Sequence, residues 1–324
     1  MDSQATSNSH LPRLAIVIPC YNEEAVLNIS IPILLSVLDK LSAESLAASD
    51  SYLLLCNDGS RDRTWQITEE LHLSDARVKG ISLAHNRGQQ NALLAGLMTA
   101  RENCDAAITI DVDLQDSPDC IAEMMRLFLQ GNDIVYGVRS DRSTDTWFKR
   151  NSARAFYRLQ HTLGLETVFD HSEYRLMSRR ALDLLAEYPE RNLFLRGIFP
   201  HIGLKSAIVR YPRTRRIAGE TKYPLGKMIS TSIDGITSFT AKPMRLIFIV
   251  GFVLLLIDIV IAAWIFGSYF TGRAISGWSS IMLSIWFLGS LILMALGIIG
   301  EYIGKIFVEV KNRPRYAIKD RLWD

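Results

Sequence analysis

The chain has 324 residues, with 36 Lys and Arg against 34 Asp and Glu, a formal net charge of +2. That near balance argues against nucleic acid as a partner, where a strong basic excess is expected. The length allows one large domain or two ordinary ones, and the apolar surplus lies mostly after residue 243, so a soluble part is followed by a membrane part. Cys20, Cys56, Cys104 and Cys120 form no C-x-x-C pair and read as small buried hydrophobes of a reducing compartment. Residues 1–12 are polar and lack a charged stretch followed by an apolar one. They read as a flexible N-terminus rather than a secretory signal, which keeps the first domain in the cytoplasm.

Strand-like and helix-like runs then alternate. Leu14 to Ile18 is a β-rich run ending at Pro19, and Glu24 to Leu41 has helical spacing, with Val26, Ile29, Ile33, Leu34, Val37 and Leu41 on one side. Tyr52 to Cys56 is a second strand, stopped by Asn57-Asp58-Gly59-Ser60. A helix from Asp62 to Leu71, a strand from Val78 to Leu83 and a helix from Gln89 to Arg101 follow. Ala106 to Ile110 is a fourth strand running into Asp111, Pro118 to Leu129 a helix, and Asp133 to Val138 a fifth strand. This order predicts a mostly parallel sheet covered by helices, with ligands beyond the carboxyl ends of its strands. The polar clusters Tyr21-Asn22-Glu23, Asn57-Asp58, His85-Asn86-Arg87 and Asp111-Val112-Asp113 all follow strands.

Farther on, Trp147 to Leu163 reads as a helix with a basic face, Arg179 to Tyr188 as another helix, and Lys205 to Arg216 as a strand with a basic turn. Pro224 to Phe239 has amphipathic spacing suited to a membrane surface. Leu246 to Phe270 and Trp278 to Gly300 are each long enough to span a bilayer. The link between them carries only Arg273, whereas Lys222, Lys227, Lys242 and Arg245 precede the first span and Lys305, Lys311, Arg313, Arg315, Lys319 and Arg321 follow the second. The positive-inside rule places both flanks in the cytoplasm. Asp258 interrupts the first span, where a carboxyl is costly and is expected to face protein or carry a proton.

Asp111 and Asp113, at i and i+2 on a strand terminus, can both reach one divalent ion. Mg²⁺ is typically held by one or two carboxylates plus substrate phosphate oxygens. Gln115 and Asp116 come next and extend the polar shell.

The runs Ile18-Pro19-Cys20-Tyr21-Asn22-Glu23, Asn57 to Thr64 and Asp111-Val112-Asp113-Leu114-Gln115-Asp116 resemble the inverting family 2 glycosyltransferases of GT-A fold. Tyr174 to Arg179, Glu190 to Gly197 and Arg216 to Tyr223 are similar to a narrower branch, the polyprenyl-phosphate glycosyltransferases, which includes bactoprenol glucosyltransferases and dolichol-phosphate mannose synthase. The resemblance runs from about residue 13 to about residue 315. It implies an α/β, Rossmann-like GT-A sheet with helices on both faces, amphipathic interface helices and two C-terminal transmembrane helices. The implied organisation is 1–12 flexible, 13–222 catalytic, 223–243 juxtamembrane, 244–304 a transmembrane hairpin and 305–324 a basic cytoplasmic tail.

By resemblance, Pro19, Tyr21, Glu23 and Asn57 line the nucleotide base and ribose pocket, with the Asn57 side-chain oxygen accepting from the base and Asp58 supporting the same loop. Asp111, Asp113 and Gln115 hold Mg²⁺ or Mn²⁺ and the diphosphate; Arg139 lies near the phosphates, and Arg216 and Lys222 close over donor diphosphate or acceptor phosphate. The family usually has Asp at the position of Glu173, so Glu173 is expected to position hydroxyls rather than act as a strict base, with Arg175 pairing with it or with phosphate and His171 a weaker candidate. The implied reaction is inverting transfer of a hexose, first glucose from UDP-glucose, to polyprenyl (undecaprenyl) phosphate. UDP-N-acetylglucosamine, UDP-galactose and GDP-mannose are alternative donors. The expected setting is the inner membrane, with both termini cytoplasmic, as a homo-oligomer with a tetramer foremost. The reading from another class is a non-catalytic membrane adaptor on a transferase fold.

Overall fold

The computed structural model describes residues 11–139, 171–191, 194–212 and 277–323, with scattered positions between 244 and 260. These fall into two compact units. The larger holds the described residues up to 212 and from 313 onward; the smaller holds those from 244 to 312.

The larger unit is built on an eight-stranded sheet. Its strands are β1 (Leu14–Cys20), β2 (Tyr52–Asn57), β3 (Val78–Leu83), β4 (Ala106–Thr109), β5 (Ile134–Arg139), β6 (His171–Ser178), β7 (Ser206–Tyr211) and β8 (Ile318–Leu322). They lie in the order β7-β5-β6-β4-β1-β2-β3-β8. β1 pairs in parallel with β2 and β4, β2 with β3, and β5 with β7. β6 runs antiparallel to β4 and β5, and β8 antiparallel to β3. The near-continuous apolar runs of β1 and β2 are what a strand covered on both faces requires. Leu14, Ile16, Ile18, Leu53 and Leu55 join one cluster with Ile31 and Leu34 of α1 (Leu27–Ala43), Ile67 of α2 (Thr64–Ser74) and Met124 of α4 (Cys120–Leu129). On the other face Val17 and Cys56 close on Gly96 of α3 (Gln89–Arg101), where no side chain would fit. The α/β sheet with helices on both faces is therefore present, and its first five strands lie where they were expected, within two residues at each end.

Three elements were not anticipated. β6 lies where the expected catalytic run was read without structure. The helix α6 (Leu195–Ile202) follows α5 (Arg179–Ala186). The expected tail 305–324 is a correction: its first part continues a helix, and Ile318–Leu322 is an edge strand of the sheet. That strand is secured by Ala84 N donating to Ala317 O at 2.9 Å, and by Trp323, which stands edge-on to Tyr52 with centroids 5.6 Å apart. Its Lys, Asp and Arg suit an edge, where charge discourages further pairing.

In the smaller unit α7 spans Trp278–Lys311, past the expected end at Gly300. Within it Phe287–Lys311 is long and apolar enough to cross a membrane, the one such helix among the described residues. Large apolar side chains along it, including Ile285, Leu293 and Val310, are exposed. The expected first span, Leu246 to Phe270, is described only at scattered helical positions, and Asp258 lies outside the described residues, as do the helix expected over Trp147 to Leu163 and the amphipathic segment Pro224 to Phe239.

Candidate active site

Because β1, β2, β3 and β4 are parallel, the loops leaving their carboxyl ends share one edge. Two of these loops are laced together. Asn22 N donates to Ser60 Oγ at 3.0 Å, Arg61 N to Asn22 Oδ1 at 2.9 Å, Glu23 N to Thr64 Oγ1 at 2.9 Å and Arg63 N to Glu24 Oε2 at 3.0 Å. Between them lies a cavity of ≈ 440 Å³ lined by Asn22, Glu23, Glu24, Ala25, Val26, Arg61 and Asp62. Pro19 is half-buried on β1, Glu23 half-buried on the rim, and Tyr21 exposed beside it.

Asn57 and Asp58 are buried, and both are engaged within the protein. Asn57 Nδ2 donates to Ser82 Oγ at 2.9 Å and its Oδ1 accepts from Ser60 N at 3.1 Å. The oxygen expected to meet a base thus holds a turn. Asp58 accepts from Arg87 N at 2.7 Å and Gly88 N at 2.8 Å, fixing the β3–α3 loop against β2. Burial pushes the Asp58 carboxyl up, and these two backbone donors oppose the shift. Gly59 permits the approach: its φ is +63°, and a Cβ there would stand 2.7 Å from Asn86 N.

Past β4 the chain alternates. Val112 and Leu114 are buried in the apolar cluster, while Asp111 and Asp113 are half-buried. Gln89 Nε2 donates to Asp111 Oδ1 at 2.8 Å, and Gln115 N to Asp113 Oδ1 at 3.2 Å. The Asp111 carboxyl is pushed up to about 7, by burial first and then by Asp116, Asp113 and Glu173. Four carboxylates therefore bear on one edge, and the Gln115 side chain is buried. Oxygen ligands with surplus negative charge suit a hard divalent cation, so the residues fit a metal in this place. No three His, Cys, Asp or Glu side chains converge as a ready metal cluster among the described residues.

Arg139, expected near phosphates, stands at this edge but is held by Asp116: its Nε and Nη2 both reach Oδ1, at 2.9 and 2.8 Å, and Tyr211 Oη donates to the same oxygen at 2.7 Å. β6 enters the edge from the opposite direction, so its first residues lie beside the end of β4. Thr109 Oγ1 donates to Glu173 O. The Glu173 carboxylate sits between two guanidinium groups. Oε2 pairs with Arg175 Nη2, and Oε1 accepts from Arg196 Nε at 2.7 Å. Arg175 is 1% exposed, donates to Leu195 O at 3.3 Å and lies 4.8 Å over the Phe199 ring. Of the two partners read for Arg175, Glu173 or a phosphate, the protein itself supplies Glu173.

Arg216 and Lys222 lie outside the described residues. The site residues missed in the sequence are Gln89, Gln90, Arg196 and Tyr211. Arg196 belongs to one of the runs that carried the resemblance, which was the one available signal.

A mixed α/β sheet thus gathers paired aspartates, a loop-lined cleft and the guanidinium groups of Arg139, Arg175 and Arg196 at one edge. Residues 15–185 match the profile of glycosyl transferase family 2, and the chain belongs to that family. Its relatives include the uncharacterized glycosyltransferase YkoT of Bacillus subtilis, 49% identical over 97% of this chain and 93% of that one. They also include the prophage bactoprenol glucosyl transferase homolog of Escherichia coli, 38% identical over 95% and 98%, and the bactoprenol glucosyl transferase of Shigella phage SfX, 37% identical over 95% and 99%.

Proposed function

We propose that this protein transfers a hexose, glucose from UDP-glucose, to polyprenyl phosphate with inversion, at the cytoplasmic face of the inner membrane. The observation that carries the reading is end-to-end similarity to bactoprenol glucosyl transferases of phage and prophage, at 37–38% identity over 95% of this chain. In this reading the catalytic domain is 13–222, Leu246 to Phe270 and Trp278 to Gly300 form a membrane hairpin, and the protein assembles as a homo-oligomer, a tetramer.

The reaction forms a bond from a lipid phosphate oxygen to the anomeric carbon and breaks the bond from that carbon to the nucleotide's β-phosphate. Attack from the opposite face turns an α-linked donor into a β-linked lipid phosphosugar, with the nucleoside diphosphate leaving. The acceptor is an already ionised phosphate, so little deprotonation is required of the protein. Asp111 and Asp113, steadied by Gln89 and the Gln115 amide, are assigned to hold Mg²⁺ or Mn²⁺, with Gln115 beside them. When bound, the ion neutralises charge on the departing diphosphate. Pro19, Tyr21 and Glu23 are assigned to the base and ribose, and Arg139, Arg216 and Lys222 to phosphates. Asn57 and Asp58 shape the pocket from behind. Glu173, paired with two guanidinium groups, is assigned to orient hydroxyls rather than to take a proton. Confining both partners to one interface removes much of the cost of their encounter.

The test is transfer by purified protein in detergent, using a short polyprenyl phosphate and a panel of radiolabelled nucleotide sugars, with Mg²⁺ or EDTA. Label entering the lipid phase from UDP-glucose, and only with metal, supports the reading. Transfer from another donor corrects the sugar. No transfer from any donor by folded protein moves the assignment to a membrane adaptor.

A further inference from the structure

We propose that Arg196 is the exchangeable cation of the acceptor-phosphate subsite. It rests on Glu173 until the phosphate monoester of the lipid arrives, and then turns to that phosphate. The inference rests on the transfer reaction proposed above and names a residue for its acceptor side.

The two guanidinium groups on Glu173 are not equivalent. Arg175 is 1% exposed on its side chain, and is fixed by Leu195 O and the face of Phe199. It already neutralises Glu173 in the interior. Arg196 is 42% exposed. Neutrality of the buried pair does not require it, and of the two guanidinium groups it is the one that faces outward. A half-exposed guanidinium can change partners without entering a dry environment, and its planar fork fits phosphate oxygens in pairs.

Its position is built as well. Leu195 N donates to Gln90 Oε1 at 3.0 Å, and Leu195 O accepts from Arg175. The residue before Arg196 is thus clamped on both sides of its peptide. The neighbouring Gln89 donates to Asp111. The first turn of α3 therefore sets both the carboxylate assigned to the donor's metal and the start of the helix that carries Arg196. Thr109, at the end of the strand that runs into Asp111, donates to Glu173 O and pairs in register with Arg175, so a phosphate drawn to Arg196 would stand at the same edge as the donor.

The experiment compares wild type, Arg196→Ala and Arg196→Lys as full-length protein in detergent. It measures equilibrium binding of a short polyprenyl phosphate, with the corresponding polyprenol and inorganic phosphate as controls, and the KM for lipid phosphate and for nucleotide sugar. We expect Arg196→Ala to weaken lipid-phosphate binding and raise the acceptor KM by about tenfold, the loss of one charge-assisted phosphate contact. The donor KM should stay within about twofold, Arg196→Lys should recover part of the loss, and polyprenol should bind wild type and variants alike. Three results would overturn the inference: unchanged lipid-phosphate affinity in folded Arg196→Ala, a rise confined to the donor KM, or a fall in kcat with the acceptor KM fixed. If wild type binds the lipid phosphate through Arg196 but transfers no sugar, the subsite stands and the transfer reading falls. If wild type binds no lipid phosphate, both fall. Should Arg196→Ala fail to fold, Arg196→Lys and Arg196→Gln carry the same comparison.

Discussion

Glu173 and Arg175 stand two residues apart on β6 and form an ion pair at 9% and 1% side-chain exposure. Residues at i and i+2 share one face of a strand, so the pair forms along β6 rather than across the sheet. Removing one partner of a buried pair leaves the other charge unmatched, which costs about 3–5 kcal/mol. Arg175→Ala should lose stability of that order in denaturant unfolding. A loss below about 1 kcal/mol would mean that Arg196 alone satisfies Glu173.

Asp58 serves two backbone N–H groups with two oxygens. Asp58→Asn turns one acceptor into a donor and sets it against an N–H. The expected loss is roughly 1–3 kcal/mol, with a higher donor KM as the β3–α3 loop relaxes. Unchanged melting and donor KM would show that the loop holds its shape without the carboxylate.

The folded protein retains the Asp111 proton up to about pH 7, whereas an unfolded aspartate releases it near pH ~4. The stability from this group is complete below that lower value and is lost as pH rises through the upper one. In EDTA, Asp111→Asn should therefore melt above wild type at pH 8, with the gap narrowing as pH falls. With metal and substrates present, Asp111→Asn and Asp113→Asn should each lower transfer by roughly 100-fold or more, the scale of losing one electrostatic contact to the leaving group. A variant that melts alike at every pH would contradict the crowding of carboxylates.

Tyr211 ends β7 and reaches across to Asp116 at 2.7 Å. Tyr211→Phe keeps the ring packed edge-on to Tyr174, with centroids 5.4 Å apart, and deletes one hydrogen bond to a buried carboxylate. The expected cost is about 1.5–3 kcal/mol. A purely structural Tyr211 would leave the donor KM as it is; a Tyr211 that steadies Arg139 through Asp116 would raise it.

The strands from β1 to β5 were legible because each is a short apolar run closed by turn formers, and the polar clusters after them marked the edge where the site lies. β6 was not, because a buried Glu and Arg look like surface residues until their partners are known. Arg196 escaped for the same reason: its partner is 23 positions away, and α6 is too short to announce itself by period. β8 is charged and follows a long apolar helix, so Ile318–Leu322 read as a tail. The amide of Asn57, read as facing a nucleotide base, is engaged by Ser60 and Ser82, a local use that composition does not reveal.

β8 follows α7 in the chain yet completes a sheet whose other strands all precede that helix. The sheet of the larger unit is therefore closed only by residues made after that helix. Until they emerge, β3 keeps an open edge and Tyr52 lacks the Trp323 ring. A nascent chain that stalls before its apolar helix is made would retain most of the described strands but a sticky, unfinished sheet edge, so completion of the sheet waits on synthesis of that helix.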